Sequence, residues 1–157
     1  MNRRQLWCAP FAVFLAFFLV GASVLSASEE PPGRADKEVI TKTGLRYIDL
    51  KVGEGEEARP GQVVEVQYTG RLKDNDTVFE TSRGNQPLTF RVGAGDVLKG
   101  WDEGVLGMRV GGKRKLIVPP DLGYGRQGAG SVVPPNATLV FEFELLAVRS
   151  IPQGKSR

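Results

Sequence analysis

The 157-residue chain contains no histidine, and this absence excludes more functions than any other feature of its composition. A Ser-His-Asp triad, a histidine general base and most zinc sites all need an imidazole. The single cysteine, Cys8, lies in the N-terminal segment, so the rest of the chain can form no internal disulfide and offers no thiol nucleophile. Any chemistry of the remaining chain must therefore proceed without imidazole or thiol.

The charged residues are nearly balanced, which argues against a polyanionic partner. The chain has 21 basic and 18 acidic residues, for a net charge of +3. The basic run Lys113-Arg114-Lys115 lies along a predicted strand, and we expect it to face solvent. We predict no nucleic acid among the partners of this chain, because nucleic-acid binding needs a concentrated basic surface.

The N-terminal segment has the pattern of a secretory signal peptide. Arg3-Arg4 precedes an uncharged stretch over residues 5–28, in which residues 11–20 form a continuous apolar run and the end is rich in small residues. This pattern predicts cleavage near Ser28 and export to the periplasm or another extracytoplasmic compartment. The alternative is an uncleaved membrane anchor formed by residues 5–28, which are numerous enough to span a bilayer. Only in that case do we expect an association with the membrane.

The rest of the chain divides into a linker, one domain and a tail. Residues 29–39 are polar and contain two prolines, which is typical of a linker. Residues 40–150 are numerous enough for one domain with a modest core. Residues 151–157 form a polar tail.

Alternating hydrophobic residues predict that the domain is built mainly from strands. Strands are predicted at residues 45–50, 63–68, 78–81, 88–92, 114–118 and 138–148. Only Asp96–Leu106 has helical spacing, with Val97, Trp101 and Val105 on one face and Asp96 as the predicted N-cap. The sequence therefore predicts an α+β domain, in which a twisted antiparallel sheet of five or six strands wraps around one short α-helix.

Two glycine motifs suggest a nucleotide site, but neither has the required sequence around it. Gly123 to Gly128 fits G-x-G-x-x-G, yet glycines and prolines follow it where a helix must begin. Residues 107–113 match the start of a P-loop, but Arg114 replaces the Ser or Thr that would hold Mg²⁺. The first motif is better explained as a surface loop with positive-φ glycines. Asn136-Ala-Thr138 is a glycosylation sequon, which matters only in a cell that glycosylates exported proteins.

Four segments of the domain carry aromatic residues and glycines in a distinctive order. They are VQYTGRL at 66–72, VFETSR at 78–83, GDVLKGWDEGVLGMRVGGKRKLIVPPDLGYG at 95–125 and VVPPNATLVFEFELL at 132–146. In order and spacing they resemble the FK506-binding-protein (FKBP) family of peptidyl-prolyl cis-trans isomerases, over residues 40–149. The resemblance implies a twisted sheet wrapped around one helix, in agreement with the strand pattern, and an apolar ligand cleft between sheet and helix.

The resemblance assigns roles to ten residues. It implies catalytic roles for Tyr68, Phe79, Glu80, Trp101, Tyr124 and Phe141, and substrate contacts for Leu88, Val97, Leu98 and Val133. Trp101 would form the floor of the cleft, and the backbone N–H of Leu98 would donate to a ligand carbonyl. The glycine-rich loop would be a flap whose Tyr124 hydroxyl reaches the substrate while Val133 closes the lid. Taken singly, such aromatic residues are more often core than ligand-binding, so the assignment depends on the whole set.

The implied function is the cis-trans isomerisation of X-Pro bonds in exported or folding polypeptides. An enzyme of this kind catalyses the reaction by stabilising a twisted amide in an apolar aromatic cleft. The reaction needs no cofactor or metal, which suits a chain without histidine. The implied partners are proline-containing polypeptides and macrolide inhibitors of the rapamycin type, and a monomer is expected. The alternative is a catalytically weak proline-peptide or partner-binding module, because Glu80 stands where the family usually has Asp and Leu88 replaces an aromatic residue.

Overall fold

Residues 37–150 are described by a computed structural model and contain seven strands and one α-helix. The elements are β1 (Glu38–Ile40), β2 (Arg46–Lys51), β3 (Val63–Leu72), β4 (Val78–Thr81), β5 (Leu88–Arg91), α1 (Lys99–Gly104), β6 (Lys113–Val118) and β7 (Leu139–Arg149). The predicted signal peptide over 1–28, most of the predicted linker and the predicted tail over 151–157 lie outside the described residues. Within residues 37–150, no helix is long and apolar enough to cross a membrane.

All strand pairs of the sheet are antiparallel, and β3 and β7 form its centre. The strand order is β1-β2-β6-β7-β3-β4, and β5 pairs with the first half of β3. The β3–β7 ladder is the longest in the sheet and extends from Val63 opposite Arg149 to Leu72 opposite Leu139. Both strands are long because each has the alternating pattern over most of its length, with one face available for the core.

The core lies on one face of the sheet and follows the predicted alternation. On β7 the alternate residues Leu139, Phe141, Phe143 and Leu145 are all at most 2% exposed. Their neighbours Val64, Val66 and Tyr68 on β3 and Leu116 and Val118 on β6 are also buried. Complete burial of a large apolar side chain contributes about 1.5–3 kcal/mol. The pattern of β7, the clearest alternation in the sequence, therefore directs the burial of this face.

The short helix α1 packs directly on β6 through two glycines. A Cβ at Gly100 would lie 2.7 Å from Val118 Cγ1, and one at Gly104 would lie 2.5 Å from Leu116 Cδ1. Two glycines weaken a six-residue helix in isolation. Here they allow the helix backbone to approach the strand closely, so tertiary packing holds α1 in place.

The structure confirms the predicted α+β fold and changes some boundaries. The sheet has seven strands where five or six were predicted, because β1 was missed. Strand β1 has only three residues, lies at the edge of the sheet and begins at Glu38, inside the predicted linker. β3 continues four residues beyond the predicted end. The prediction of Asp96 as the N-cap is wrong. Leu98 is the N-cap, with an extended ψ of 141°, and no side chain of the described residues caps α1.

The two glycine motifs form turns, as their surroundings predict. After Gly123–Gly128 the chain continues in turns closed by a bridge between Ala129 and Val133. Gly125 and Gly128 have positive φ, and a Cβ at Gly128 would collide with the carbonyl oxygen of Val133. Residues 107–113 lead into strand β6 where a P-loop needs a helix.

Candidate active site

A cleft of about 370 Å³ lies beside the N-terminal end of α1. Its lining comes from β3, from β4, from the start of β5, from α1 and the segment that leads into it, and from the loop after β6. The lining residues are Tyr68, Glu80, Leu88, Asp96, Val97, Leu98, Trp101 and Tyr124. Aromatic and aliphatic side chains with few polar groups are the usual composition of a ligand cleft.

Trp101 forms an aromatic floor because α1 directs it into the core. The residue is 5% exposed, and its indole packs at 4.7 Å from the ring of Tyr68, 5.0 Å from Phe141 and 5.1 Å from Phe143, measured between centroids. Both phenylalanine rings meet the indole edge to face, which is a favoured geometry. The indole Nε1 is buried and has no hydrogen-bond partner among the described residues. A group seated on this floor would lose contact with water.

Glu80 binds one tyrosine of the cleft, and its charge acts on both. The Tyr68 hydroxyl donates a hydrogen bond to Glu80 Oε1 at 2.6 Å. Burial raises the pKa of Tyr68 well above its usual range, and the hydrogen bond and negative charge of Glu80 raise this pKa further. Burial also raises the pKa of Tyr124, with a smaller contribution from the charge of Glu80. Both hydroxyls therefore stay protonated at neutral pH.

The two tyrosine hydroxyls are not equivalent as donors. Tyr68 already donates to Glu80, whereas the Tyr124 hydroxyl makes no hydrogen bond to any described residue. The Tyr124 ring lies at 6.5 Å from Phe79 in an edge-on arrangement, which helps to orient its hydroxyl. Tyr124 can therefore donate to a ligand, and Tyr68 keeps Glu80 in place.

A second donor comes from the backbone at the start of α1. The carbonyl oxygen of Leu98 accepts hydrogen bonds from the backbone N–H groups of Trp101 and Asp102, while the N–H of Leu98 has no partner in residues 37–150. The Asp102 carboxylate holds the preceding loop, because it accepts hydrogen bonds at 2.9 Å from the N–H groups of Gly93 and Gly95. The Leu98 N–H is thus a fixed donor beside Trp101.

Seven of the ten predicted site residues line the cleft together. These are Tyr68, Glu80, Leu88, Val97, Leu98, Trp101 and Tyr124. Phe141 is fully buried behind the floor, and Phe79 packs between Phe141 and Tyr124. Val133 is 1% exposed and belongs to the core beneath the glycine-rich loop, so in this structure it does not line the cleft.

Sequence reasoning missed three residues of the site and its surroundings. Asp96 lines the cleft, although its predicted role was to cap the helix. Phe143 packs against Trp101, and its position on the same face as Phe141 could have indicated this. Arg114 was expected in solvent but is 5% exposed, because it pairs with Asp49 from another strand. Within residues 37–150, no group of three or more acidic, histidine or cysteine side chains could hold a metal ion.

Comparison with known proteins agrees with this geometry. A family model described as FKBP-type peptidyl-prolyl cis-trans isomerase matches residues 54–146. The chain is 55% identical over 142 residues to FK506-binding protein 2 of Yarrowia lipolytica, covering 89% of this chain and 93% of that protein. It is 48% identical over 117 residues to the 39 kDa FK506-binding nuclear protein of Drosophila melanogaster, covering 74% of this chain but only 32% of that longer protein.

A solved structure supports the same assignment. The crystal structure of FkpA from Escherichia coli superposes with a TM-score of 0.66 at 40% sequence identity, covering 77% of this chain and 55% of FkpA. Fold, family model and sequence identity all lead to one conclusion. The chain belongs to the family of FKBP-type peptidyl-prolyl cis-trans isomerases.

Proposed function

We propose that this chain catalyses the cis-trans isomerisation of X-Pro peptide bonds in the cleft above Trp101. One observation carries the proposal: a buried aromatic floor and two donors that have no partner within residues 37–150 meet in a single cleft. The donors are the Tyr124 hydroxyl and the Leu98 N–H. This combination suits an amide that must be removed from water while its flanking carbonyls are held.

The reaction needs no bond to be made or broken. Rotation about a peptide bond meets a barrier of about 18–20 kcal/mol, because planarity maintains amide resonance. Spontaneous X-Pro exchange takes tens to hundreds of seconds. Shortening about 100 s to about 1 ms is a change of five decades, or about 7 kcal/mol of barrier. A protein can supply this by binding the twisted amide more tightly than either planar isomer.

The cleft residues divide this task between desolvation and orientation. The rings of Tyr68, Trp101 and Tyr124 exclude water, which disfavours the polar planar amide relative to the twisted one. The Tyr124 hydroxyl and the Leu98 N–H orient the carbonyls on either side of the proline. Glu80 holds the Tyr68 hydroxyl. Burial and the charge of Glu80 both raise the pKa of Tyr68 and Tyr124 above the usual value near 10, so the Tyr124 hydroxyl is a neutral donor at physiological pH.

A pair of matched variants tests this assignment. Tyr124→Phe removes the free hydroxyl of the cleft, while Tyr47→Phe removes the same atom from β2, outside the cleft. One neutral hydrogen bond is worth about 0.5–1.5 kcal/mol, so kcat/KM on an X-Pro peptide should fall by a factor of about two to ten in the first variant. The second should keep the wild-type rate. Equal rates in all three proteins would remove Tyr124 from the mechanism.

The alternative is a binding module with little catalysis, and Glu80 and Leu88 are the residues that favour it. The longer carboxylate side chain of Glu80 already reaches Tyr68 at 2.6 Å, which supports a working cleft. Glu80→Asp decides between the two. A variant much faster than the wild type would show that the natural cleft is catalytically weak. A wild type that accelerates the exchange, with an equal or slower variant, favours the enzyme.

We propose further that the chain acts on exported proteins as a monomer. The apolar N-terminal segment supports export. The alignment with the Yarrowia protein is longer than residues 29–157, so part of the alignment lies in this N-terminal segment. The N-terminal sequence of the protein isolated from its host tests cleavage. A start near Ser28 supports export by a signal peptide, whereas an intact N-terminus supports an anchor. Light scattering of the cleaved form tests the monomer.

Macrolides of the rapamycin type are proposed as inhibitors. The names of the relatives describe them as FK506-binding, and the cleft offers an apolar floor and two donors for such a ligand. A macrolide should raise the melting temperature of the wild type, because it binds only the folded state. Trp101→Leu should reduce this shift, and a shift that is the same in both proteins would place the ligand elsewhere.

A further inference from the structure

Arg114 is a buried cation whose role the reaction does not explain. Its side chain is only 6% exposed, and its Nε and Nη2 donate to the two carboxylate oxygens of Asp49 at 2.6 and 3.1 Å. Its Nη1 donates to the carbonyl oxygens of Gly104 and Leu106, both at 2.9 Å. The guanidinium also stacks 4.2 Å above the ring of Tyr47. Four of the five N–H donors of the guanidinium are thus used.

The carbonyls that Arg114 binds lie at the C-terminal end of α1 and two residues beyond it. Gly104 is the last residue of the helix, three residues after Trp101, and the last turn contains no basic residue of its own. The carbonyls at a helix end lack partners within the helix and carry partial negative charge. Arg114 therefore supplies, from a neighbouring strand, the cationic cap that the helix sequence lacks.

One face of β6 holds the whole helix. Val118 faces Gly100, Leu116 faces Gly104, and Arg114 binds the carbonyls at the helix end, so alternate residues of the strand contact successive turns. The two apolar contacts are non-directional and allow small shifts along the strand. The hydrogen bonds of Arg114 are directional and charge-assisted, so they fix the position of the helix along β6.

We propose that Arg114 is a positioning residue for the active site, which holds Trp101 at the floor of the cleft by fixing the C-terminal end of α1. It acts through the helix, since it does not line the cleft. The activity part of the proposal rests on the proposed isomerase function. The same helix begins next to Leu98, so a shift of α1 also moves the backbone donor of the cleft.

The test uses Arg114→Met, which keeps a long apolar side chain and removes every donor. The full chain contains two tryptophans, so Trp7→Phe is made first and Trp101 alone then reports by fluorescence. A misplacement of about 1 Å can cost up to a hundredfold in rate, and we expect kcat/KM per folded molecule to fall about tenfold. The fall should appear in kcat with KM little changed, because the floor acts on the twisted amide. The Trp101 emission should shift and acrylamide should quench it more strongly.

Asp49→Asn is the matched control. It weakens the ion pair but leaves both helix carbonyls to Arg114, so it should lower the melting temperature while the Trp101 emission and kcat/KM stay near the wild type. If Arg114→Met does not fold, Arg114→Lys replaces it. A lysine can reach a single carbonyl, and it should give a smaller change of the same kind.

Two results would overturn the proposal. One is an Arg114 variant that is less stable but has unchanged Trp101 fluorescence and unchanged kcat/KM per folded molecule, which would make Arg114 merely structural. The other is an Asp49→Asn variant that changes both signals as much as the Arg114 variant does. The fluorescence does not depend on turnover. A wild type without isomerase activity would therefore refute the proposed function, while the emission would still test the position of Trp101.

Discussion

Gly70 on β3 lets the sheet backbone lie close to the aromatic rings behind the cleft. It pairs with Glu80 on β4 and with Phe141 on β7. A Cβ at this position would lie 2.7 Å from Phe141 Cε1 and 2.9 Å from Phe79 Cζ. Carbon atoms pack best at about 3.5–4.0 Å, so an alanine here must displace at least one ring. Gly70→Ala therefore tests whether the wall of the cleft is as closely packed as the structure indicates.

The sign of the effect on stability is decisive. Gly70 does not have a positive φ, and a glycine-to-alanine change at such a site normally stabilises by about 0.4–1 kcal/mol through the unfolded state. Against this, Phe141 is fully buried between Trp101 and Phe143 and cannot withdraw, and overpacking costs about 1–3 kcal/mol. We expect a net loss of about 1–2 kcal/mol of unfolding free energy.

Denaturant unfolding of a double-mutant cycle measures the clash itself. Phe141→Leu should destabilise the wild-type protein because it removes buried volume. Introduced into the Gly70→Ala variant, the same change should cost less by about 1 kcal/mol or more, because it relieves the collision. Two results would show that the rings have room to move and would refute the packing argument. One is a Gly70→Ala variant that is more stable than the wild type, and the other is a double variant whose cost equals the sum of the two single costs within about 0.5 kcal/mol.

Three other predictions concern the cleft and its supports. Glu80→Gln removes a charge that raises the pKa of both Tyr68 and Tyr124, so tyrosinate absorbance should appear at lower pH than in the wild type. The raised folded pKa values contribute stability that is complete below about pH 10 and lost as pH rises through them. In this variant the loss of stability at alkaline pH should be smaller and should be complete at a lower pH, and identical titration curves would contradict this. In Asp102→Asn the side chain can accept a hydrogen bond from only one of the two loop N–H groups. We therefore expect a melting temperature lower by a few degrees and a higher KM, and an unchanged KM would refute the anchoring role of Asp102. Rates in H₂O and D₂O should agree, since no proton moves in the twisting step, and a clear solvent isotope effect would indicate acid-base catalysis.

Much of the fold could be predicted because burial follows the residue pattern along single strands. β7 is the clearest case: Phe141 and Phe143 alternate with Glu142 and Glu144, and only one register buries the rings. β1 was missed because three residues are too few to show a pattern, and its pairing with β2 stabilises it. The predicted start of the helix was wrong because the backbone is still extended at Leu98. The preference of Asp for N-cap positions, on which the prediction at Asp96 was based, does not reveal this.

The site could be predicted only where a residue's role depends on its own segment. Trp101 and Leu98 lie in one short segment, and both line the cleft as the resemblance implied. Arg114 was misplaced because its burial depends on Asp49, which lies on another strand and compensates its charge. The burial of Val133 also depends on a contact outside its own strand pattern, because the glycine-rich loop folds back on itself. Contacts between distant segments decide these positions.

The most direct test of the central claim is the kcat/KM of the purified chain on a short X-Pro peptide, with and without a rapamycin-type macrolide. The cleft above Trp101 predicts acceleration of the cis-trans exchange that the macrolide abolishes, because substrate and inhibitor need the same floor and the same donors. Absence of acceleration, or acceleration that a saturating macrolide leaves unchanged, would contradict the claim that this cleft is the active site.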